Sequence, residues 1–266
     1  MQRDTASEGI TALDGITRDC YRSFAVFPNA ELLDDGRIYG VMSHAPISFF
    51  SGIASTHIDE SEVPEIIERF RAKRCAFRWW VTPLTRPQGL VPVLQAHGMR
   101  HTYDAPGMTA DLTAVPLDVP LPEGVTIRRL TSAAEMTHWL DVFMPAFSLP
   151  PEQAGAWRDA YVHCGFGDDA PWQHFVAFLG DQPVATTSSH LHGDLAGIYF
   201  VATLAAARGR GIGSAVTRAA MRHARDAGAT VAALQSSESG YSVYRGLGFV
   251  DHGMLTVYDW RPEYDE

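Results

Sequence analysis

The residues best suited to chemistry in this chain stand at Arg208-Gly209-Arg210-Gly211-Ile212-Gly213-Ser214, three glycines within five residues. They follow an apolar run, Ile198 to Thr203, and precede an amphipathic segment. Alternate glycines allow φ > 0 and let backbone N–H groups approach a ligand with no Cβ between them. A helix starting here adds about half a positive charge at its N-terminus, so the segment is a candidate phosphate cradle. A tight strand-to-helix turn, with glycines kept for packing, accounts for the same residues equally well. Two other phosphate motifs fit worse. No lysine supplies the Gly-Lys-Ser/Thr ending of a P-loop, and the dinucleotide pattern G-x-G-x-x-G fails at its last position, which is Ser214 or Val216.

A second segment, Tyr244-Arg245-Gly246-Leu247-Gly248-Phe249, lies one helix and one strand further on. At this spacing the two segments resemble the GNAT superfamily of acyl-CoA-dependent N-acyltransferases. Arg208, Gly211 and Gly213 match its signature Q/R-x-x-G-x-G/A, and Tyr244 to Phe249 matches its Tyr, two or three residues, Gly-Phe. The resemblance covers residues 125–260 in order of elements, and the first half only faintly. It implies acetyl-CoA as co-substrate, with the pyrophosphate held by the amides of Arg208, Gly209, Arg210, Gly211, Ile212, Gly213 and Ser214. Phe200, Val201 and Thr203 would end a splayed strand whose backbone meets the pantetheine arm and the acyl carbonyl, an oxyanion-hole arrangement. Tyr244 would give a proton to the departing thiolate, since a phenol is protonated at neutral pH; as a core aromatic it needs no such role. Ser237 stands where the family often has Asn and keeps a hydroxyl for one contact.

The implied function is transfer of an acetyl or other short acyl group to an amine of a small-molecule acceptor by direct attack. The alternative is an acyl-CoA-binding sensor or structural protein without turnover. No carboxylate lies between Ala196 and Thr203 to act as general base; His190, His192, Asp194, Glu238, Glu135 and Asp141 are candidates, each equally at home on a solvated surface. Arg218, Arg222 and Arg225 recur at helical spacing, either as a solvated face or as attractors of the CoA 3'-phosphate.

The elements that must position these groups follow from periodicity. Val125 to Leu130 reads as a strand. Ser132 caps a helix to about Phe147 with Glu135 at the capping-box position, and a second helix covers Glu152 to His163. Three strands follow at Gln173–Leu179, Val184–Leu191 and Ala196–Ala202, then a helix from Ile212 to Ala227, a strand at Thr230–Leu234, a short helix at Tyr241–Leu247 and a last strand at Phe249–Trp260. That order is an α+β (mixed α/β) domain on a mostly antiparallel sheet flanked by helices. In the first half, strands are expected at Phe49–Ala54, Phe77–Val81 and Met108–Leu112, with helices at Val63–Ala72 and Leu90–His97. Val93 to Met99 lines up with Val243 to Phe249, which suggests an internal duplication. The first copy lacks a Gly-rich turn and has Leu94 in place of the tyrosine. Pro116, Pro120 and Pro122 mark a linker, dividing the chain into a degenerate GNAT-like domain, 1–117, and an acetyltransferase domain, 118–266. Trp79-Trp80 suits core packing better than an acceptor pocket.

Composition narrows the class. Of 266 residues, 46% are hydrophobic and 20% charged, the balance of a globular protein. The formal charge is -10, and Lys73 is the only lysine. Neither half is basic, which argues against nucleic acid or an anionic membrane surface as partner. Cys20, Cys75 and Cys164 form no metal spacing and suit a reducing compartment, so a cytoplasmic, bacterial protein is expected. The polar start of the chain lacks the apolar core of a signal peptide. A homodimer is compatible with this reading.

Overall fold

The computed structural model describes residues 5–265 and contains eleven strands and seven α-helices among them. In chain order these are α1 (Thr5–Ser23), β1 (Glu31–Asp34), β2 (Ile38–Met42), β3 (Gly52–Thr56), α2 (Val63–Ala72), β4 (Phe77–Val81), α3 (Leu90–Ala96) and β5 (Arg100–Asp111). They continue with β6 (Val125–Arg129), α4 (Met136–Ala146), α5 (Ala154–Cys164), β7 (Trp172–Leu179), β8 (Gln182–His192), β9 (Leu195–Thr203), α6 (Ile212–Asp226), β10 (Val231–Gln235), α7 (Glu238–Gly246) and β11 (Val250–Trp260). The mixed α/β class and the mostly antiparallel pairing agree with the sequence reading.

The chain forms two compact units, but they do not divide at the proline-rich linker. One comprises the residues up to Gly107 together with those from Asp251 onward; the other is Met108–Val250. The boundary expected at 117/118 is therefore corrected, and the reason is strand exchange. In the first unit β3 and β4 run parallel through Gly52↔Arg78 and Ile53↔Trp79, and the next strand is β11, antiparallel through Tyr258↔Trp79 and Val257↔Trp80. In the second unit β9 and β10 run parallel, and β10's next neighbour is the end of β5. Leu112 N–H donates to Thr230 O at 2.8 Å, and Met108, Ala110 and Leu112 are buried in that unit's core. The first half thus ends inside the second unit, with the last residues of β5, and the second half ends inside the first, with β11.

The two halves also share a helix ending. After α3, Met99 N–H reaches Leu94 O at 3.0 Å, with Gly98 at φ +79; after α7, Phe249 N–H reaches Tyr244 O at 3.0 Å, with Gly248 at φ +92. A left-handed residue at this place is what glycine supplies at lowest cost. Trp79 and Trp80 are both buried in the first unit, where Trp80 Nε1 donates to Tyr21 Oη at 3.0 Å.

In the second unit the strand order is β5-β10-β9-β8-β7-β6. Successive strand residues face opposite sides, so Phe175 and Ala177 join the core with α6, while His174 and Trp172 meet the Tyr161 ring of α5. Ala215, Ala219, Ala220 and Ala224 give α6 a small-residue face, and Val216 and Met221 fill the gaps. The capping box of Ser132 and Glu135 forms as the sequence predicts, with a 3-10 turn at Ala133–Glu135 leading into α4. No helix among the described residues is long and apolar enough to cross a membrane.

Candidate active site

The site begins where two strands part. β9 and β10 pair only at Val231↔Leu195, Ala232↔Ala196 and Ala233↔Gly197. Beyond Gly197, β9 continues to Thr203 without a partner on the β10 side among the described residues. Its other edge stays on β8 as far as Ala185↔Thr203. Backbone N–H and C=O groups on the parted edge are thus left for a ligand or water, because such groups are rarely left unpaired.

Opposite that opening β9 is bulged. Thr186 pairs with Ala202 and Ser188 with Tyr199, so Phe200 and Val201 together face Thr187 alone. Phe200 has φ +54, a conformation that costs an aromatic residue about 1–3 kcal/mol and needs outside support. Support comes from both directions. Thr186 Oγ1 donates to Phe200 O at 3.0 Å, and the ring meets Trp139, Phe143 and Trp157 at centroid distances of 5.7, 5.2 and 5.5 Å. A bulge of this kind re-aims the strand locally, here between Tyr199 and Ala202.

The glycine turn follows directly. Arg208 Nε donates to Thr203 O at 3.1 Å, tying the turn to the strand end. Gly209 and Gly211 take φ +76 and +73, and Gly211 caps α6 in the left-handed region. A Cβ on Gly209 would meet nothing within 4 Å, and one on Gly211 only Pro122 Cγ at 3.9 Å. The space above these two glycines is open, as a cradle requires. Gly213 is needed for another reason: its Cβ would stand 3.1 Å from Thr203 Oγ1. The first helical bond runs from Ala215 N–H to Gly211 O at 3.0 Å. The N–H groups of Ile212, Gly213 and Ser214 therefore have no carbonyl partner among the described residues, the ordinary state of a helix's first turn. The Ile212 side chain itself is core, so only its amide faces the turn.

Tyr244 lies in α7, 9% exposed, in the same core as Ile198, Ile212 and Leu234. Burial pushes its phenol up to about 12, and its hydroxyl has no hydrogen-bond partner among the described residues. The group is a protonated donor with its hydrogen unspent. Ser237 is the N-cap of α7, accepting from Gly240 N–H at 3.1 Å, so its hydroxyl already carries a structural bond.

The base candidates disperse. His192 pairs with Leu195, and Asp194 lies in the hairpin turn, both at the end of β9 opposite Thr203. Glu135 is spent in the capping box, where backbone bonds hold its carboxyl below the usual range. Glu238 and Asp141 are exposed. His190 is buried, and desolvation, with His192 nearby, takes its pKa down to about 3. His174 is also depressed to about 3 by burial, its Nδ1 2.8 Å from Ser188 Oγ. Neutral imidazoles this weakly basic are poor proton acceptors. Sequence reasoning missed the bulge, the aromatic packing around Phe200 and His174; the density of Trp, Phe and Tyr in residues 139–172 was the available signal.

Residues 134–249 match the model of the Acetyltransferase (GNAT) family. A mycothiol acetyltransferase of Streptomyces scabiei is 32% identical over 149 residues, covering 54% of this chain and 48% of that protein. The chain spans about half the length of the curated relatives it matches. Among solved structures, a GCN5-related N-acetyltransferase from Kribbella flavida superposes with TM-score 0.72 at 21% identity, over 93% of this chain and 95% of that one. A tandem GNAT protein from the clavulanic acid biosynthesis pathway gives 0.58 at 13% identity, over 98% and 96%. Residues 134–249, which carry the parted strand, the bulge and the glycine turn, form a GNAT acetyltransferase domain.

Proposed function

We propose that this chain transfers an acetyl group from acetyl-CoA to an amine of a small-molecule acceptor by direct attack. The observation that carries the reading is the parting of β9 from β10 beside the open turn at Gly209 and Gly211. Acetyl-CoA supplies an activated thioester; the remaining work falls to the protein. The amides of residues 209–214 and the α6 N-terminus bind the pyrophosphate, where anions are favoured. The unpaired edge of β9 aligns the pantetheine arm as an added strand would. Backbone N–H groups near the Phe200-Val201 bulge polarise the thioester carbonyl, in a place already organised before substrate arrives. Tyr244, held protonated by burial, donates to the leaving thiolate. We assign no side chain as base: the acceptor amine gives its proton to water, because the imidazoles on β7 and β8 are too weakly basic.

The first half is a GNAT-like copy without cofactor chemistry, a reading supported by the shared helix ending and by Leu94 at the tyrosine's place. Three free, buried cysteines support a reducing, cytoplasmic setting. The relatives' name makes amines related to mycothiol the first acceptors to try. The test is incubation with acetyl-CoA and a panel of small amines, reading acetylated product by mass spectrometry, since a thiol-bearing acceptor would disturb thiol-release detection. Acetyl-CoA bound with no amine acetylated would favour a sensor instead.

A further inference from the structure

The first unit holds a groove of about 680 Å³ between α2 and the β1–β2 hairpin, a size at which small molecules bind. Its apolar lining comes from Leu33, Ile38 and Ile58, which are also core, from half-buried Ile66, and from Leu32, which is 46% exposed on the outermost strand of the sheet. The charges around it are unequal. Asp34, Asp35, Glu62, Glu65 and Glu68 stand against Arg37 and Arg69. Both guanidinium groups are engaged: Arg37 donates to Glu62 at 3.1 and 3.0 Å, and Arg69 to Glu31 at 3.2 Å. Glu65 and Glu68 are exposed and have no cationic partner among the described residues. Three residues apart, they share one flank of α2, where like charges oppose each other.

α2 and α6 hold equivalent places: each follows a strand that pairs parallel with the strand after the helix, β3 with β4 and β9 with β10. Counted from the N-caps, Glu62 and Gly211, the groove residues Glu65, Ile66 and Arg69 fall where α6 has Ser214, Ala215 and Arg218. α6 opens with bare amides, suited to an anion. α2 is instead preceded by a turn closed on itself by a capping box of Asp59 and Glu62. The sign of this face is thereby reversed, and an anion is repelled. A second copy of the chain would set these carboxylates against their own kind. We propose that the groove binds a small amphipathic amine, its hydrocarbon body against Leu32, Leu33 and Ile66 and its ammonium between Glu65 and Glu68. The site uses the first unit alone and goes beyond the acetyl-transfer reading, so it stands or falls separately.

The experiment is calorimetric titration of the full chain at low salt with three probes of matched shape, phenylbutylamine, phenylbutanol and phenylbutanoate, with backbone amide NMR shifts to locate the binding. Two exposed carboxylates together are worth about tenfold at most. The amine should bind about three- to tenfold more tightly than the alcohol and the carboxylate least, with shifts at Leu32 and Ile66. Glu65→Gln combined with Glu68→Gln should bring the amine down to the alcohol's affinity, leave the alcohol unchanged and not lower Tm. Leu32→Ser should weaken amine and alcohol alike. In about 1 M salt, where the screening length is about 3 Å, the preference for the amine should shrink. Equal binding of amine and alcohol, or a preference that survives the double substitution, would overturn the proposal. So would absence of amine binding at about 10 mM. Shifts confined to residues 108–250 would overturn it as well, because they would make the amine an acceptor at the transfer site only.

Discussion

Replacing Gly211 with alanine tests the cradle with a control built into the same unit. Gly211 sits at φ +73 with open space where a Cβ would go, so the added methyl meets no steric obstacle inside the protein. The cost is conformational: about 1–2 kcal/mol for an L-residue in the left-handed region. Gly193, in the β8–β9 hairpin, has φ +58 and equally open space. Gly211→Ala and Gly193→Ala should therefore lose similar stability, lowering Tm by a few degrees. Only the first should weaken acetyl-CoA. A realigned turn forfeits one or more N–H bonds to a charged phosphate, each worth about 1.5–3 kcal/mol, so Kd should rise about 10- to 100-fold. Calorimetric titration and thermal denaturation of the three proteins read the two effects separately. Normal binding by Gly211→Ala, or an equal loss in Gly193→Ala, would refute the assignment of the turn.

Tyr244→Phe should leave Tm unchanged, since the hydroxyl gives up no bond to the described residues, and should lower kcat about 100- to 10,000-fold with little change in the KM for acetyl-CoA. Steady-state kinetics with any accepted amine checks this where chemistry limits the rate; wild-type kcat would make Tyr244 a core aromatic only. A fragment of residues 108–250 should fold and bind acetyl-CoA, whereas 121–266 should not give a folded monomer: it lacks the strand at Met108–Asp111 and keeps β11, whose partner β4 lies in the other unit. Size-exclusion chromatography with ligand titration distinguishes them. Stability should be full above about pH 6.5 and fall as the pH drops toward 3, because His174 and His190 stay neutral in the fold but take up protons when unfolded. The slope is about 1.4 kcal/mol per pH unit for each histidine, and urea unfolding free energies that are flat from about pH 7.5 to about pH 5 would contradict it.

The order of elements in residues 125–260 was readable because each is local: β7, β8 and β9 are short runs bounded by Gly-Asp and His-Gly-Asp turns, and α6 repeats its apolar residues at 3.6. What escaped depends on partners far along the chain. The polar start of α1 hides its apolar face of Leu13, Ile16 and Cys20. β1 and β2 are short, and β5 extends back to Arg100 through Pro106 and Gly107, residues that ordinarily argue against a strand. Strand exchange is invisible to any local pattern, so the linker prolines drew the boundary to 118.

The left-handed backbone of the glycine turn was legible from residue type and spacing, since φ > 0 at Gly209 and Gly211 has a sequence signature. Phe200 has none. Its left-handed backbone is imposed by Trp139, Phe143, Trp157 and the Thr186 hydroxyl, a tertiary cause outweighing local preference. The N-cap bond that the Ser237 hydroxyl accepts from Gly240 N–H was not foreseen in the sequence.

The most direct test of the central claim is the stoichiometry of acetyl-CoA binding to the full chain, measured by calorimetric titration with NAD as the control ligand. A cradle at residues 208–214 and none in the first half predict one acetyl-CoA per chain with Kd below about 1 mM, and no heat with NAD. Absence of acetyl-CoA binding at that concentration, or two equivalents bound per chain, would contradict the account.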